Sequence, residues 1–138
     1  MSRCQWIPRS YDSIPPRVPP DSQERDDGIV AEPLLCGYNA ISFDVPLLNA
    51  EFARCGIPHR LDPGRVLDPI VWIRWFRRHW RERTLAAATK AYGVELSSAH
   101  AADADAEATA ALTIQLVRDL VIPDDVELAL IEQVRGGR

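Results

Sequence analysis

The pattern of apolar and polar positions changes near Ile29. Before it, five of the 11 prolines fall within the first 20 residues, and Ser22-Gln23-Glu24-Arg25-Asp26-Asp27-Gly28 continues a polar bias without apolar periodicity. Such a leader, residues 1–28, is expected to be unstructured or extended. Leu34-Leu35-Cys36-Gly37-Tyr38 is a short apolar run that predicts a buried strand. Asp44 stands two residues before Pro46, with Leu47, Leu48 and Phe52 at helical spacing and Gly56 as a stop, which predicts a helix over residues 44–55. Arg65-Val66-Leu67-Asp68 is a second candidate strand. Over residues 70–83, Trp72, Trp75, Phe76, His79 and Trp80 recur at i, i+3, i+4 intervals, with Arg74, Arg77, Arg78 and Arg81 on the other side, which predicts an amphipathic helix with a basic outer face. Further helices are predicted over residues 84–92, ended by Gly93, over 103–120, and over 124–134 before Gly136-Gly137. The expected chain is α/β, with few strands, a predominantly helical C-terminal half and one domain over residues 29–138.

Length and composition narrow the class. A chain of 138 residues suits one core, and 46% hydrophobic with 26% charged residues is ordinary for a folded domain. The longest run without a charged residue, Pro33 to Phe43, is 11 positions, against about 20 for a membrane span. The first residues carry no apolar stretch of secretory type, so the cytoplasm is the expected compartment. A net charge of -4 excludes a protein that coats nucleic acid by global basic charge, though a local basic patch remains allowed. Cys4, Cys36 and Cys55 fit neither a zinc pair nor a disulfide framework and are read as reduced thiols.

Two acidic motifs carry candidate chemistry. In Gly37-Tyr38-Asn39-Ala40-Ile41-Ser42-Phe43-Asp44 a strand runs out into a helix start, leaving Asp44 at an exposed corner beside helix N-terminal amides. Corners of this kind hold binding groups in α/β proteins; the same residues also suit a plain N-cap at Asp44 and a turn at Asn39. In Ser98-Ala99-His100-Ala101-Ala102-Asp103-Ala104-Asp105-Ala106-Glu107-Ala108-Thr109, His100 comes from a loop and Asp105 from the first turn of the next helix, so an imidazole and a carboxylate can converge on one water. A loop histidine before an alanine-rich, Asp-capped helix is the plainer reading.

Taken together, the two motifs resemble the DEDD 3′-5′ exonucleases, in the histidine-marked branch that includes proofreading subunits of bacterial replicative polymerases. The family's second motif matches Asn39, Phe43-Asp44 and Leu47-Leu48, and its third matches His100, Asp105-Ala106 and Ala108-Thr109. Val66-Leu67-Asp68-Pro69 and Tyr92-Gly93 fit the connecting pieces, so the resemblance covers about residues 30–120. It implies an RNase H-like fold and hydrolysis of phosphodiester bonds at the 3′ ends of single-stranded DNA or RNA. His100, Asp105 and Asp44 would be the catalytic residues, with His100 as general base. Asp105 and Asp44 would be ligands of a Mg²⁺ or Mn²⁺ pair, and Asn39 and Phe43 would contact substrate.

One departure is severe. The family's first motif, Asp-x-Glu-Thr at the end of an apolar strand, has no counterpart before residue 29. Asp125-Val126-Glu127 opens a helix with no strand before it, and Asp105-Ala106-Glu107 belongs to the third motif. The expectation is an incomplete RNase H-like domain, from a misassigned start, a split gene or decay, with impaired activity and an exposed sheet edge that another chain could cover. A non-catalytic nucleic-acid or protein binding module that keeps the exonuclease-like surface is the alternative. For it, the arginines over residues 70–83 offer phosphate contacts, while their aromatic neighbours equally suit a core-facing stripe.

Overall fold

A computed structural model describes residues 34–96 and 101–136. The proposed leader, Cys4 and His100 lie outside the described residues. Strand β1 (Leu35–Cys36) leads through a loop to α1 (Asp44–Arg54), and a single 3-10 turn (Pro63–Arg65) precedes β2 (Val66–Leu67). Four helices follow: α2 (Pro69–Phe76), α3 (Leu85–Ala91), α4 (Ala102–Arg118) and α5 (Val126–Gly136). The class is α/β, as expected for a partial exonuclease fold. β1 and β2 pair in parallel with Leu35 opposite Val66 and Cys36 opposite Leu67, and Gly37 N–H extends the ladder to the Leu67 carbonyl at 3.1 Å.

Two two-residue strands cannot stand alone in water, so helices must cover them. α2 packs on α4 and α5, α3 on α4, and α5 on β2. The main core joins Leu67, Trp72, Ile73, Leu112, Leu116 and Leu130. Ala88 of α3 and Ala108 of α4 are both buried, the small residues that let these two helices approach closely. A smaller cluster of Ala40, Val45 and Val66 sits under the start of α1.

The helix ends follow local chemistry. Asp68 caps α2 by accepting from Ile70 N–H, with Pro69 at the first helical position, where a missing N–H costs nothing. Thr84 Oγ1 accepts from Ala87 N–H at 3.1 Å, and Asp125 accepts from Leu128 N–H at 2.8 Å at the head of α5. Gly56 and Gly93 adopt positive φ of 68° and 66° just past α1 and α3, the stops anticipated from sequence.

Three expectations need correction. The aromatic periodicity predicts one helix to residue 83, yet α2 ends at Phe76. The aromatics still turn inward after the break: Trp80 packs on Tyr92 at 6.1 Å, and Thr84 takes an extended conformation to cap α3, which a continuous helix would forbid. The apolar run over residues 34–38, predicted as a buried strand, is the two-residue β1 with both residues exposed; in α1, which forms as expected, only Val45 is buried, while Leu47 and Leu48 are exposed. Instead, Asn49 ties the helix to the following loop, its Oδ1 accepting from Leu61 N–H at 2.7 Å and its Nδ2 donating to the Leu61 carbonyl at 3.0 Å. Finally, Cys36 is a free thiol but Cys55 is disulfide-bonded, so the three cysteines are not all reduced thiols.

The outer side of β2 is closed by a side chain. Gln133 of α5, 3% exposed, donates from Nε2 to the Val66 carbonyl at 2.8 Å. Its Oε1 accepts from Asp68 N–H at 2.8 Å and from Trp72 Nε1 at 3.3 Å. Gln133→Leu fills similar space but leaves three buried groups unpaired, so it should lower the unfolding free energy by about 3 kcal/mol in urea titrations; a loss under half a kcal/mol would contradict this role for the amide.

Candidate functional site at the strand-to-helix corner

The corner is built on a buried carboxylate. Asp68 directly follows β2 and is 1% exposed. Its Oδ1 accepts from Asn39 N–H at 2.8 Å and Ile70 N–H at 3.2 Å, and its Oδ2 from Ile41 N–H at 3.1 Å. The acid at the end of one strand therefore holds the loop that leaves the other. Burial pushes its carboxyl above the ordinary carboxylate value, with the three amides and Arg74 opposing that shift.

Held this way, the loop folds tightly. Asn39 sits at φ 60°, a left-handed conformation that asparagine tolerates better than most residues. Phe43 N–H donates to the Asn39 carbonyl at 3.2 Å and Val45 N–H to the Ala40 carbonyl at 2.8 Å. A Cβ on Gly37 would come within 2.6 Å of the Ala40 Cβ, so this position demands glycine. The outcome is Asp44 as the exposed first residue of α1, with Phe43, 64% exposed, beside it. The N-cap is Phe43, and no side chain caps the helix, so Asp44 does not serve as the plain N-cap that its position suggests.

Asp105 belongs to a different helix. It lies half-buried in the first turn of α4. Its carbonyl accepts from Thr109 Oγ1 at 2.7 Å, the Thr109 carbonyl accepts from Thr113 Oγ1 at 2.7 Å, and Thr113 Oγ1 meets Cys36 Sγ at 3.3 Å. This i, i+4, i+8 line is the face of α4 against β1, and Asp105 stands about 12 Å along the axis from the Cys36 contact. Desolvation pushes the Cys36 thiol up, against the hydrogen bond with Thr113, although the residue as a whole is exposed. Among the described residues, no three of His, Cys, Asp and Glu gather closely enough to hold a metal ion. Asp44 and Asp105 offer the hard oxygen donors that Mg²⁺ or Mn²⁺ take, but they alone do not fit a two-ion centre.

With this geometry in view, the comparisons decide the family. The exonuclease family model matches residues 16–113. The chain belongs to this exonuclease family. It is 31% identical over 94 residues to a DNA polymerase III of PolC type from Listeria innocua, covering 68% of this chain and 6% of that protein. A second, from Streptococcus pyogenes, is 35% identical over 86 residues, covering 62% of this chain and 6% of its own length. The chain thus spans only a small part of the curated relatives it matches. No solved structure matches it significantly. Among the described residues no helix is long and apolar enough to cross a membrane.

Two organising residues of the corner carry little site signal in the sequence. Asp68 was visible as the end of a strand motif, but its three amide partners were not. Gln133 had one available signal: it is the polar member of the stripe Ala129, Leu130 and Gln133 that α5 buries.

Tyr38 closes the corner on its far side, donating to the Arg83 carbonyl at 2.6 Å. Burial pushes its phenol up to about 12, with Asp68 adding to the shift and Arg74 and Arg83 opposing it. The folded state thus keeps the proton more tightly than an unfolded tyrosine near 10, so this contribution is complete below pH 10 and is lost as pH rises toward about 12. Tyr38→Phe should flatten the alkaline limb of the stability curve measured by denaturant titration; an unchanged limb would refute the assignment. Asp68→Ala, which strands three amide donors, should cost roughly 3–4 kcal/mol in the same measurement.

Proposed function

We propose that the chain is an exonuclease-type protein that acts on the 3′ ends of single-stranded DNA or RNA, with Asp44, His100 and Asp105 as its catalytic set. The observation that carries this reading is the corner at α1, where Asp68 holds the Asn39 loop so that Phe43 and Asp44 stand exposed, in a chain whose family match spans both motifs. Phe43 offers a ring face on which a terminal base can stack, and Asn39 orients the loop beside it. His100 takes the proton of the attacking water, and Asp105 supports that water from the first turn of α4. The relatives are DNA polymerases, which suggests DNA ends arising in replication and a cytoplasmic setting.

Divalent ions supply charge neutralisation and water activation in chemistry of this kind. Among the described residues, Asp44 and Asp105 are the carboxylates offered to such ions, and these two do not complete a set. The open side of β1 is where the rest fits: β2 is closed by Gln133, whereas Leu35 and Cys36 are exposed and, among the described residues, β1 pairs with β2 alone. A further strand along that edge, from another segment or another chain, would add carboxylates beside Asp105. The incomplete donor set favours a second reading, a binding module that holds strand ends without cleaving them.

Digestion of a 3′-labelled oligonucleotide with Mg²⁺ or Mn²⁺ tests the first reading. Release of single nucleotides from the 3′ end should fall at least about 100-fold in Asp105→Ala and in His100→Ala. Digestion insensitive to both substitutions would overturn the site, and strand binding without digestion would establish the binding module.

A further inference from the structure

The break in the chain after Phe76 makes a feature that neither acidic motif uses. Residues 74–83 hold five of the 15 arginines, against one acid, in a chain of net charge -4. Because α2 stops and the chain doubles back to Thr84, Arg74, Arg81 and Arg83 line one cleft of about 530 Å³, together with Tyr38 and Asn39 from the β1 exit loop. Glu82 is the one carboxylate lining it, so the cleft is positive on balance. Arg78, which an unbroken helix would place beside Arg74 and Arg81, does not line it.

The cleft has polar groups without partners. Arg83 spends Nη2 on the Arg78 carbonyl at 2.6 Å, while its Nε is buried with no hydrogen-bond partner. Asn39 Oδ1 is buried and unpartnered in the same way. A buried guanidinium donor lacking an acceptor is costly, and an anionic oxygen satisfies it best. An acceptor orphaned in the same cleft wants a hydroxyl or amino donor. A phosphodiester group meets only the first need, whereas the sugar or base of its nucleotide supplies the second.

A second cleft, of about 360 Å³, lies next to it and shares Ile70 and Arg74 while reaching Ser42, two residues before Asp44. The two clefts therefore meet at Ile70 and Arg74, with Ser42 on one side and Arg81 and Arg83 on the other. We infer that the arginine cleft seats a nucleotide phosphate of the same single strand whose end lies at Asp44, an anchor subsite for the backbone some distance from the reacting end. This deepens the proposed function and rests on it only for the position of the strand end.

Fluorescence anisotropy of a labelled single-stranded oligonucleotide, with EDTA present so that no cleavage intervenes, tests the subsite. Arg74→Gln and Arg81→Gln should each weaken binding several-fold and reduce the slope of log affinity against log salt by about 0.7, the single-strand value for one lost phosphate contact. Both side chains are exposed, so the fold should survive, which circular dichroism checks. Arg118→Gln, on the last turn of α4, and Arg78→Gln should keep the parent salt slope. Unchanged binding in both Arg74→Gln and Arg81→Gln would overturn the subsite whether or not the protein digests DNA. Equal losses in Arg78→Gln would overturn it too, pointing to a diffuse basic face. Competition by inorganic phosphate as strong as by a nucleoside monophosphate would remove the nucleotide assignment. Loss of binding in the arginine variants of a protein without nuclease activity would uphold the subsite while rejecting the exonuclease reading.

Discussion

A carboxylate removed from water must be answered by donors, and at Asp68 three backbone amides answer it. Asn39, Ile41 and Ile70 all donate to this one side chain, so the end of β2, the start of α2 and the loop after β1 share a single anchor. Burial disfavours the charge and the amides favour it; such a group is tolerated because removing it would orphan every amide around it. The exposed corner at α1 inherits its shape from that constraint. Asp44 and Phe43 can be left bare to solvent because the residues behind them are fixed.

Gln133 plays the complementary part on the other side of β2. A two-stranded parallel pair has no intrinsic claim to stability, and its outer edge would carry unpaired backbone groups. The amide of Gln133 pairs Val66 and Asp68 backbone atoms and the Trp72 indole at once, so α5 closes an edge and locks α2 with one side chain. β1 has no equivalent closure among the described residues, and its exposed positions are the natural place for more sheet. The asymmetry bears on the proposed site, since its candidate acids Asp44 and Asp105 come from helices α1 and α4.

Much of the local structure was legible. Proline after Asp68, threonine before α3 and glycine after α1 and α3 each act within a turn of their own position, and they mark the ends observed. Periodicity misled where an inward-facing pattern outlived the helix that carried it, as at residues 77–80, and where apolar spacing in α1 met no partner to bury against. Of the site, Asn39, Phe43, Asp44 and Asp105 were marked by motif order, which is a property of the chain, while their supports Asp68 and Gln133 act across 27–29 and 65–67 residues of sequence. Hydrogen bonds of that range leave no period to read.

The amino-acid order by itself determined the family, the succession of elements and which acids are candidates for chemistry, because capping, periodicity and motif spacing are all short-range quantities. Only the tertiary structure decided that a buried aspartate shapes the loop before Asp44, that a glutamine seals the sheet, and that three arginines from a broken helix and its return loop meet in one cleft. Those outcomes depend on which distant groups become neighbours once water is expelled, and that is settled by packing the whole core at once.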